Sequence, residues 1–449
     1  MGTNTIRESF LSYFEGRDHA RVASSSLVPD NDPTLLFTAA GMVQFKNLFL
    51  GKEKRDYTAA TTSQRCLRAN DLENVGRTAR HHTFFEMLGN FSFGQYAKEE
   101  AMVLAWTYLT KELGLNEKKL SLTVLRGDDE SAKLWSKISG KSDDSITRCG
   151  PEDNFWSMGD HVGAPCGPCT EIFYDMGDVP KGDDRHLEIW NLVFMQYQRD
   201  EHLDTSKYAL DEGKMSSLWS TCVDTGMGLE RIASVMQGVH SNYDTDVFNN
   251  IISYLQQVVG EKTGKKPPVY VRDSYDQTSV ALRVLADHLR AAIFCIPDGI
   301  YPRSTGQGYV LRRILRRALR SGVVLGIEKE GFFESALGLM QDDFVGVFPY
   351  LKEHIPSIKN IASSEESLFL TTLKKGNEIL NEELERVRGT SATLFPSDIV
   401  FKLYDTYGFP IDLTSQIVEE HGYKVDENGV GRRMEEQRER SRALFAESG

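Results

Sequence analysis

Cross-linking cysteine is scarce in this chain. Six cysteines occur in 449 residues and only Cys166 and Cys169 lie close together, which rules out a disulfide-held secreted scaffold. No apolar run is long enough to span a membrane and no signal peptide opens the chain, so the expected setting is reducing and cytoplasmic. Internal repeats and low-complexity tracts are missing too. Basic charge is in short supply: 52 Lys and Arg against 65 Asp and Glu give a net charge of −13. That sum is unusual for an RNA binder, yet binding needs only a local basic face. Apolar residues, in contrast, make up 40% of the chain and aromatics 10%, enough for a sizeable core and too much for overall disorder. A chain of this length is expected to form two or three domains.

Up to about Gly260, short apolar runs alternate with glycine and proline, the texture of a mostly antiparallel sheet with helices around it. Helices are expected near Thr5 to Gly16 and from Glu99 to Glu112, where Met102, Ala105, Trp106 and Leu109 share one face. The polar stretch Glu201 to Ser220 reads as a loop. Between Glu261 and Asp276 a Lys-Lys-Pro-Pro segment marks a boundary. Beyond it, Val280 to Phe294, Val310 to Ser321 and Ser363 to Arg388 carry apolar residues at helical spacing. The expected organisation is α+β: residues 1–260, then a mostly helical unit over residues 275–449.

Two segments carry chemistry. Val223-Asp224-Thr225-Gly226-Met227-Gly228-Leu229-Glu230-Arg231-Ile232 reads as a strand entering a helix through two glycines. Without a Cβ the backbone can approach a flat ligand. Asp224 can hold an ammonium group or cap the helix, and Arg231 can lie on an aromatic base. Thr61 to Ala69 and Arg80 to Gly94 read as two strands joined by a polar loop. There Arg68 can grip a phosphate or carboxylate, His82 can donate to outer phosphates, and Phe85 can stack on a base.

These residues resemble the N-terminal half of the alanyl-tRNA synthetases, class II aminoacyl-tRNA synthetases. Ala23 to Pro29 with Asn31 to Phe37 is similar to the first class motif, the Arg68 and His81-to-Gly89 region to the second, and Asp224 to Arg231 to the third. Further matches are Asn154-Phe155-Trp156, Pro165-Cys166-Gly167-Pro168-Cys169-Thr170-Glu171-Ile172, Ile189 to Gln196, Gly308 to Arg313, and Leu403 to Pro410. The resemblance implies a class II antiparallel-sheet catalytic domain followed by a helical tRNA-recognition domain. It also implies activation of L-alanine by ATP to alanyl-adenylate and transfer to the 3′ end of tRNA(Ala).

By the same resemblance, Arg68, Asp224 and Arg231 carry catalysis. ATP falls to Arg68, His82, Phe85, Met87, Trp156, Thr170, Glu171, Ile172, Gly228 and Arg231, with Mg²⁺ bridging phosphate oxygens beside Glu171. Alanine falls to Arg68, Trp156, Ile172, Asn191, Val223 and Asp224. For Trp156 and Ile172, plain core packing is the alternative. The helix around Val310 to Arg320 presents Arg312, Arg313 and Arg316 on one flank to the acceptor stem, or else pairs them with acids. Asp405 matches one of two contacts to a G·U pair. Ser304 stands where the family has Asn, which shortens the other contact. The family's short glycine-rich insertion with Lys and His is missing between Ala69 and Asn70. The family's editing domain is also missing, so the chain is expected to be a monomeric fragment that misactivates glycine and serine.

Rival readings are an adenylating enzyme of the same fold that does not use tRNA, a non-catalytic RNA-binding module, and a zinc site at Cys166 and Cys169. The last lacks a second Cys or His pair.

Overall fold

The computed structural model describes residues 1–29, 35–159, 161–180, 183, 185–201, 214–388, 393–407, 409 and 411–446, with backbone alone at 412, 413, 416, 420 and 437–446. Asn31 to Thr34 of the first-motif match, most of the polar 201–220 stretch, and Gly408 and Pro410 lie outside the described residues.

Among the described residues, nine strands form one sheet: β1 (Ala20–Arg21), β2 (Ala59–Leu67), β3 (Phe84–Ser92), β4 (Leu120–Leu125), β5 (Thr147–Cys149), β6 (Phe155–Ser157), β7 (Pro165–Asp175), β8 (His186–Arg199) and β9 (Met215–Gly228). Their order is β1-β2-β3-β9-β8-β7-β4-β5, with β6 pairing beside β7. All pairings are antiparallel except β1 with β2 and β4 with β5. The expected strand pair is β2 and β3, joined in register from Ala59 opposite Ser92 to Leu67 opposite Phe84. The stretch Met215 to Ser220, expected as loop, is the start of β9. Its exposed positions are Ser217 and Trp219 and the rest are half-buried, so no hydrophobic alternation marks the strand in the sequence.

Among the described residues, six helices belong to this half: α1 (Thr3–Glu15), α2 (Lys46–Phe49), α3 (Lys98–Thr107), α4 (Asp129–Ser139), α5 (Pro151–Asn154) and α6 (Leu229–Gln237). The helix expected to end at Glu112 is α3 continued by one π-helical turn, Tyr108–Glu112. Strand side chains alternate between faces, and the sheet uses both. On one face Leu88, Ile172, Trp190, Leu192, Phe194, Val223 and Met227 pack under helical residues including Phe10, Phe14 and Trp135. Phe10 and Tyr108 meet Trp190 with ring centroids 5.6 and 6.0 Å away. Trp190 is fully buried, and burying such aromatics contributes several kcal/mol each, on the order of 3.

The second half is helical: α7 (Asp246–Thr263), α8 (Gln277–Cys295), α9 (Gly306–Val324), α10 (Phe332–Val347), α11 (Ile355–Val387), α12 (Ser397–Tyr407), α13 (Ile411–Glu420) and α14 (Glu427–Ala446), with a small pair β10 (Leu394–Phe395) and β11 (Lys424–Val425). Between Gly264 and Asp276 there is neither helix nor strand. One hydrophobic cluster nevertheless crosses that segment. It joins Leu67 and Phe84 of the sheet, and Leu72 of the β2–β3 connection, to α7, α8, α9 and α10, and Phe84 stacks on Phe294 of α8 at 4.3 Å and 5°.

The Cys166-Gly-Pro-Cys169 sequence is a bulge. Its register against β8 shifts between Cys166 and Cys169. The sulfurs enter different clusters: Cys166 Sγ lies 3.7 Å from Met215 Sδ, and Cys169 Sγ donates to the Asp153 carbonyl at 3.7 Å. A shared zinc ion would need both sulfurs on one centre, and no group of three or more possible metal ligands exists among the described residues. Gly167 is required here because a Cβ would sit 1.8 Å from the Phe194 carbonyl oxygen. Gly167 also pairs with Trp156 of β6, so the bulge sets that tryptophan. Gly167→Ala is expected to cost on the order of 3 kcal/mol, read as a lower urea midpoint, and to disturb Trp156.

Candidate active site

On the sheet face opposite the aromatic layer lies a cleft of about 360 Å³, walled by residues of β3, β6, β7, β8 and β9. Arg68, His82, Phe85, Met87, Trp156, Glu171, Asn191, Asp224, Gly228 and Arg231 all line it. Arg68, at the end of β2, donates from Nε to the Ala39 carbonyl at 3.3 Å. Its guanidinium carbon is 4.9 Å from the Phe85 ring centroid. Arg231, in the first turn of α6, donates from Nη1 to both the carbonyl and the carboxylate of Glu188 at 3.0 Å. Both cations are thus set in place by neighbours while the cleft stays open.

Carboxylates dominate the floor. Asp224 is 7% exposed, and burial, unopposed by any hydrogen bond or ion pair, pushes its carboxyl up to about 7. It lies within β9, and the residue capping α6 is Gly228, so Asp224 is not a helix cap. Asn191, one strand over, also faces the cleft; its Nδ2 reaches Glu171 at 3.4 Å, and its Oδ1 is buried with no partner. Glu171 is pushed up to about 8, first by burial and then by the neighbouring charges of Glu188 and Asp153. Buried acids and an orphan acceptor in one cleft form a receptor for positive charge.

Three sequence-expected residues do not line the cleft: Thr170, Ile172 and Val223. Thr170, Glu171 and Ile172 are consecutive in one strand, so they cannot all face one side. Glu171 takes the cleft, while Thr170 accepts from Trp135 Nε1 at 2.7 Å and Ile172 joins the helix-covered core. Val223 precedes Asp224 and points to that same core.

His82 reaches the cleft in a different capacity from the one expected. Asn242 Nδ2 can only donate, so His82 Nε2 accepts from it at 3.0 Å. The ring proton is then on Nδ1, facing Asp287 Oδ1 at 3.2 Å. No N–H is left for a phosphate. Arg80 and His81, beside it on the cleft wall, were passed over although the basic run Arg80-His81-His82 was visible. Glu188, Asp153 and Asn242 were also passed over; nothing local marks them.

The α9 arginines are engaged within the protein. Arg316 and Arg312 place Nε 2.8 and 3.7 Å from Glu365 on α11. Arg313 reaches Glu73, in the β2–β3 connection, at 2.5 Å. That pair is exposed on both sides, 47% and 71%, and so open to exchange with a phosphate. Ser304, just ahead of α9, and Asp405, on α12, are both exposed.

An antiparallel sheet presenting an arginine-bearing strand pair and a glycine-ended strand around such a cleft defines a catalytic unit of the class II synthetase kind. The chain belongs to the tRNA synthetases class II (A), whose family model matches residues 5–449. It is 49% identical over 460 residues to the alanine–tRNA ligase of Oleidesulfovibrio alaskensis, covering 99% of this chain and 50% of that protein. For the alanine–tRNA ligase of Nitratidesulfovibrio vulgaris the figures are 49% over 463 residues, with 99% and 50% covered. For that of Idiomarina loihiensis they are 47% over 454 residues, with 98% and 49% covered. The chain spans about half the length of the curated relatives it matches.

A carboxyl whose folded value is raised binds its proton more tightly in the native state, so stability falls as pH climbs from the unfolded value towards the folded one. For Asp224 the loss runs from about pH 4 to about 7. Asp224→Asn is therefore expected to stabilise the ligand-free protein at pH 8.5 by roughly 2–4 kcal/mol, with the gain vanishing near pH 4. Denaturant titrations at the two pH values test this.

Proposed function

We propose that this chain carries the alanine-activating and acceptor-stem-binding part of an alanine–tRNA ligase. The observation that supports it best is Asp224: a buried carboxylate with no partner, beside the orphan Asn191 Oδ1, in a cleft walled by Trp156. An α-ammonium group satisfies both acceptors, and the nearby tryptophan limits the side chain to something small. Arg68 then takes the alanine carboxylate and the α-phosphate. Phe85 and Arg231 take adenine between them, with Met87 and Gly228 along the nucleotide. Arg80 and His81 face the outer phosphates in place of His82.

The alanine carboxylate attacks the α-phosphorus, forming the mixed anhydride and releasing pyrophosphate. The 3′-terminal adenosine hydroxyl of tRNA(Ala) then attacks the alanyl carbonyl and AMP leaves. Nothing here requires a covalent enzyme intermediate; positioning and charge stabilisation suffice. Magnesium fits the donor set. A cation relieves Glu171, pushed up to about 8 first by burial and then by Glu188 and Asp153, and Mg²⁺ typically uses one or two carboxylates plus substrate phosphates. Glu171 and Glu188 would hold it, and it would neutralise developing phosphate charge.

In this reading residues 1–260 are the catalytic unit and residues 275–449 the stem-recognising unit, with Ser304, Arg312, Arg313, Arg316 and Asp405 facing the RNA. No described helix is long and apolar enough to cross a membrane; a cytoplasmic, monomeric state is part of the proposal.

Alanine-dependent ATP–pyrophosphate exchange tests the reading. Asp224→Ala is expected to lower exchange by on the order of 10²-fold or more, the loss of a charged hydrogen bond. Glycine and serine are expected to be activated within about 10- to 200-fold of alanine, because a pocket for one methyl discriminates poorly. Exchange that is absent, or indifferent to alanine, contradicts the proposal. Arg313→Gln is expected to weaken binding of an acceptor-stem hairpin and to reduce its log–log salt slope by about one.

A further inference from the structure

Behind His82 a chain of buried polar groups runs out of the cleft into the helical half. Asp287 of α8, 1% exposed, accepts from His82 Nδ1, from the Thr83 amide at 3.0 Å, and from His288 Nδ1 at 2.9 Å. His288, fully buried, is met on its other nitrogen by Arg317 Nη1 of α9 at 3.0 Å. The direction of every link follows from donor chemistry. A guanidinium only donates, so His288 Nε2 is bare and its proton sits on Nδ1, facing Asp287. The amide nitrogen of Asn242 fixes His82 in the same sense from the other end. Arg317 Nη2 also donates to the Val75 carbonyl at 3.1 Å, in the connection between β2 and β3.

The inner end of the chain holds the cleft wall. Asn242 donates from its backbone to the Ala79 carbonyl at 2.9 Å and from its side chain to the Arg80 carbonyl at 3.4 Å. The stretch carrying Arg80 and His81 is therefore clipped by Asn242, Asn242 by His82, and His82 by Asp287. Every member is satisfied, the condition under which a buried polar network rigidifies its surroundings.

We propose that Asp287, His288 and Arg317 are positioning residues that fix the outer-phosphate wall of the cleft from helix α9. The inference rests on reading the cleft as an ATP site. Arg317 shares α9 with Arg312, Arg313 and Arg316, so the basic helix and the nucleotide wall are one hydrogen-bonded body. The amino-acid end of the cleft, at Asp224 and Asn191, lies on β9 and β8 and takes no part in the chain.

The test separates the two substrates. In exchange assays on the 449-residue chain, Arg317→Met is expected to raise the KM for ATP by about tenfold, leave that for alanine within about twofold, and be largely rescued by Arg317→Lys, which keeps a donor. Thermal melts confirm folding, and should Arg317→Met not fold, His288→Gln is read by the same criteria. An unchanged KM for ATP, or equal changes in both constants, overturns the positioning role. A wild-type chain without alanine-dependent exchange overturns the ATP reading beneath it.

Discussion

A carboxylate held inside a cleft with no counter-charge is the constraint around which this protein is arranged. Asp224 opposes folding whenever it is ionised, and Glu171 nearby adds to that cost. The other face of the same strands carries the compensation. Trp190, Ile172, Val223 and Met227 are fully buried there beneath Phe10 and Phe14. The period-two alternation of β7, β8 and β9 thus divides labour residue by residue, one side chain for stability and the next for ligand.

That same alternation explains what could and could not be read from the chain. The β2–β3 pair, the strand-to-helix turn at Gly226 and Gly228, and the long helices α8, α9 and α11 were legible because hydrophobic period and glycine placement are local signals. Sidedness was legible only in part. Motif matching selects contiguous residues, whereas a strand exposes every second one, and so Thr170, Ile172 and Val223 face the core. The engagement of His82 within the protein was hidden for a different reason. Its ring is claimed by Asp287, some two hundred positions away, and no local pattern announces that partner. The pairing of Arg312 and Arg316 with Glu365 is equally remote in sequence.

The two halves are not independent modules joined by a strap. Phe84 leaves the second strand of the cleft and stacks on Phe294 of α8, and the chain through Asp287 and His288 adds a polar link beside that apolar one. The arginines of α9 are partly neutralised by Glu365 and Glu73. Under the proposed function an RNA phosphate would compete with these acids rather than meet bare charge.

The most direct test of the central claim is the proton balance of alanine binding, measured by calorimetry in buffers of differing ionisation enthalpy. If Asp224 receives the ammonium group, binding at pH 6 releases close to one proton per alanine, because the carboxyl must ionise, and the release fades above about pH 8. Alanine binding with no proton release at either pH would show that Asp224 does not receive the amine, and the account of the cleft would fail.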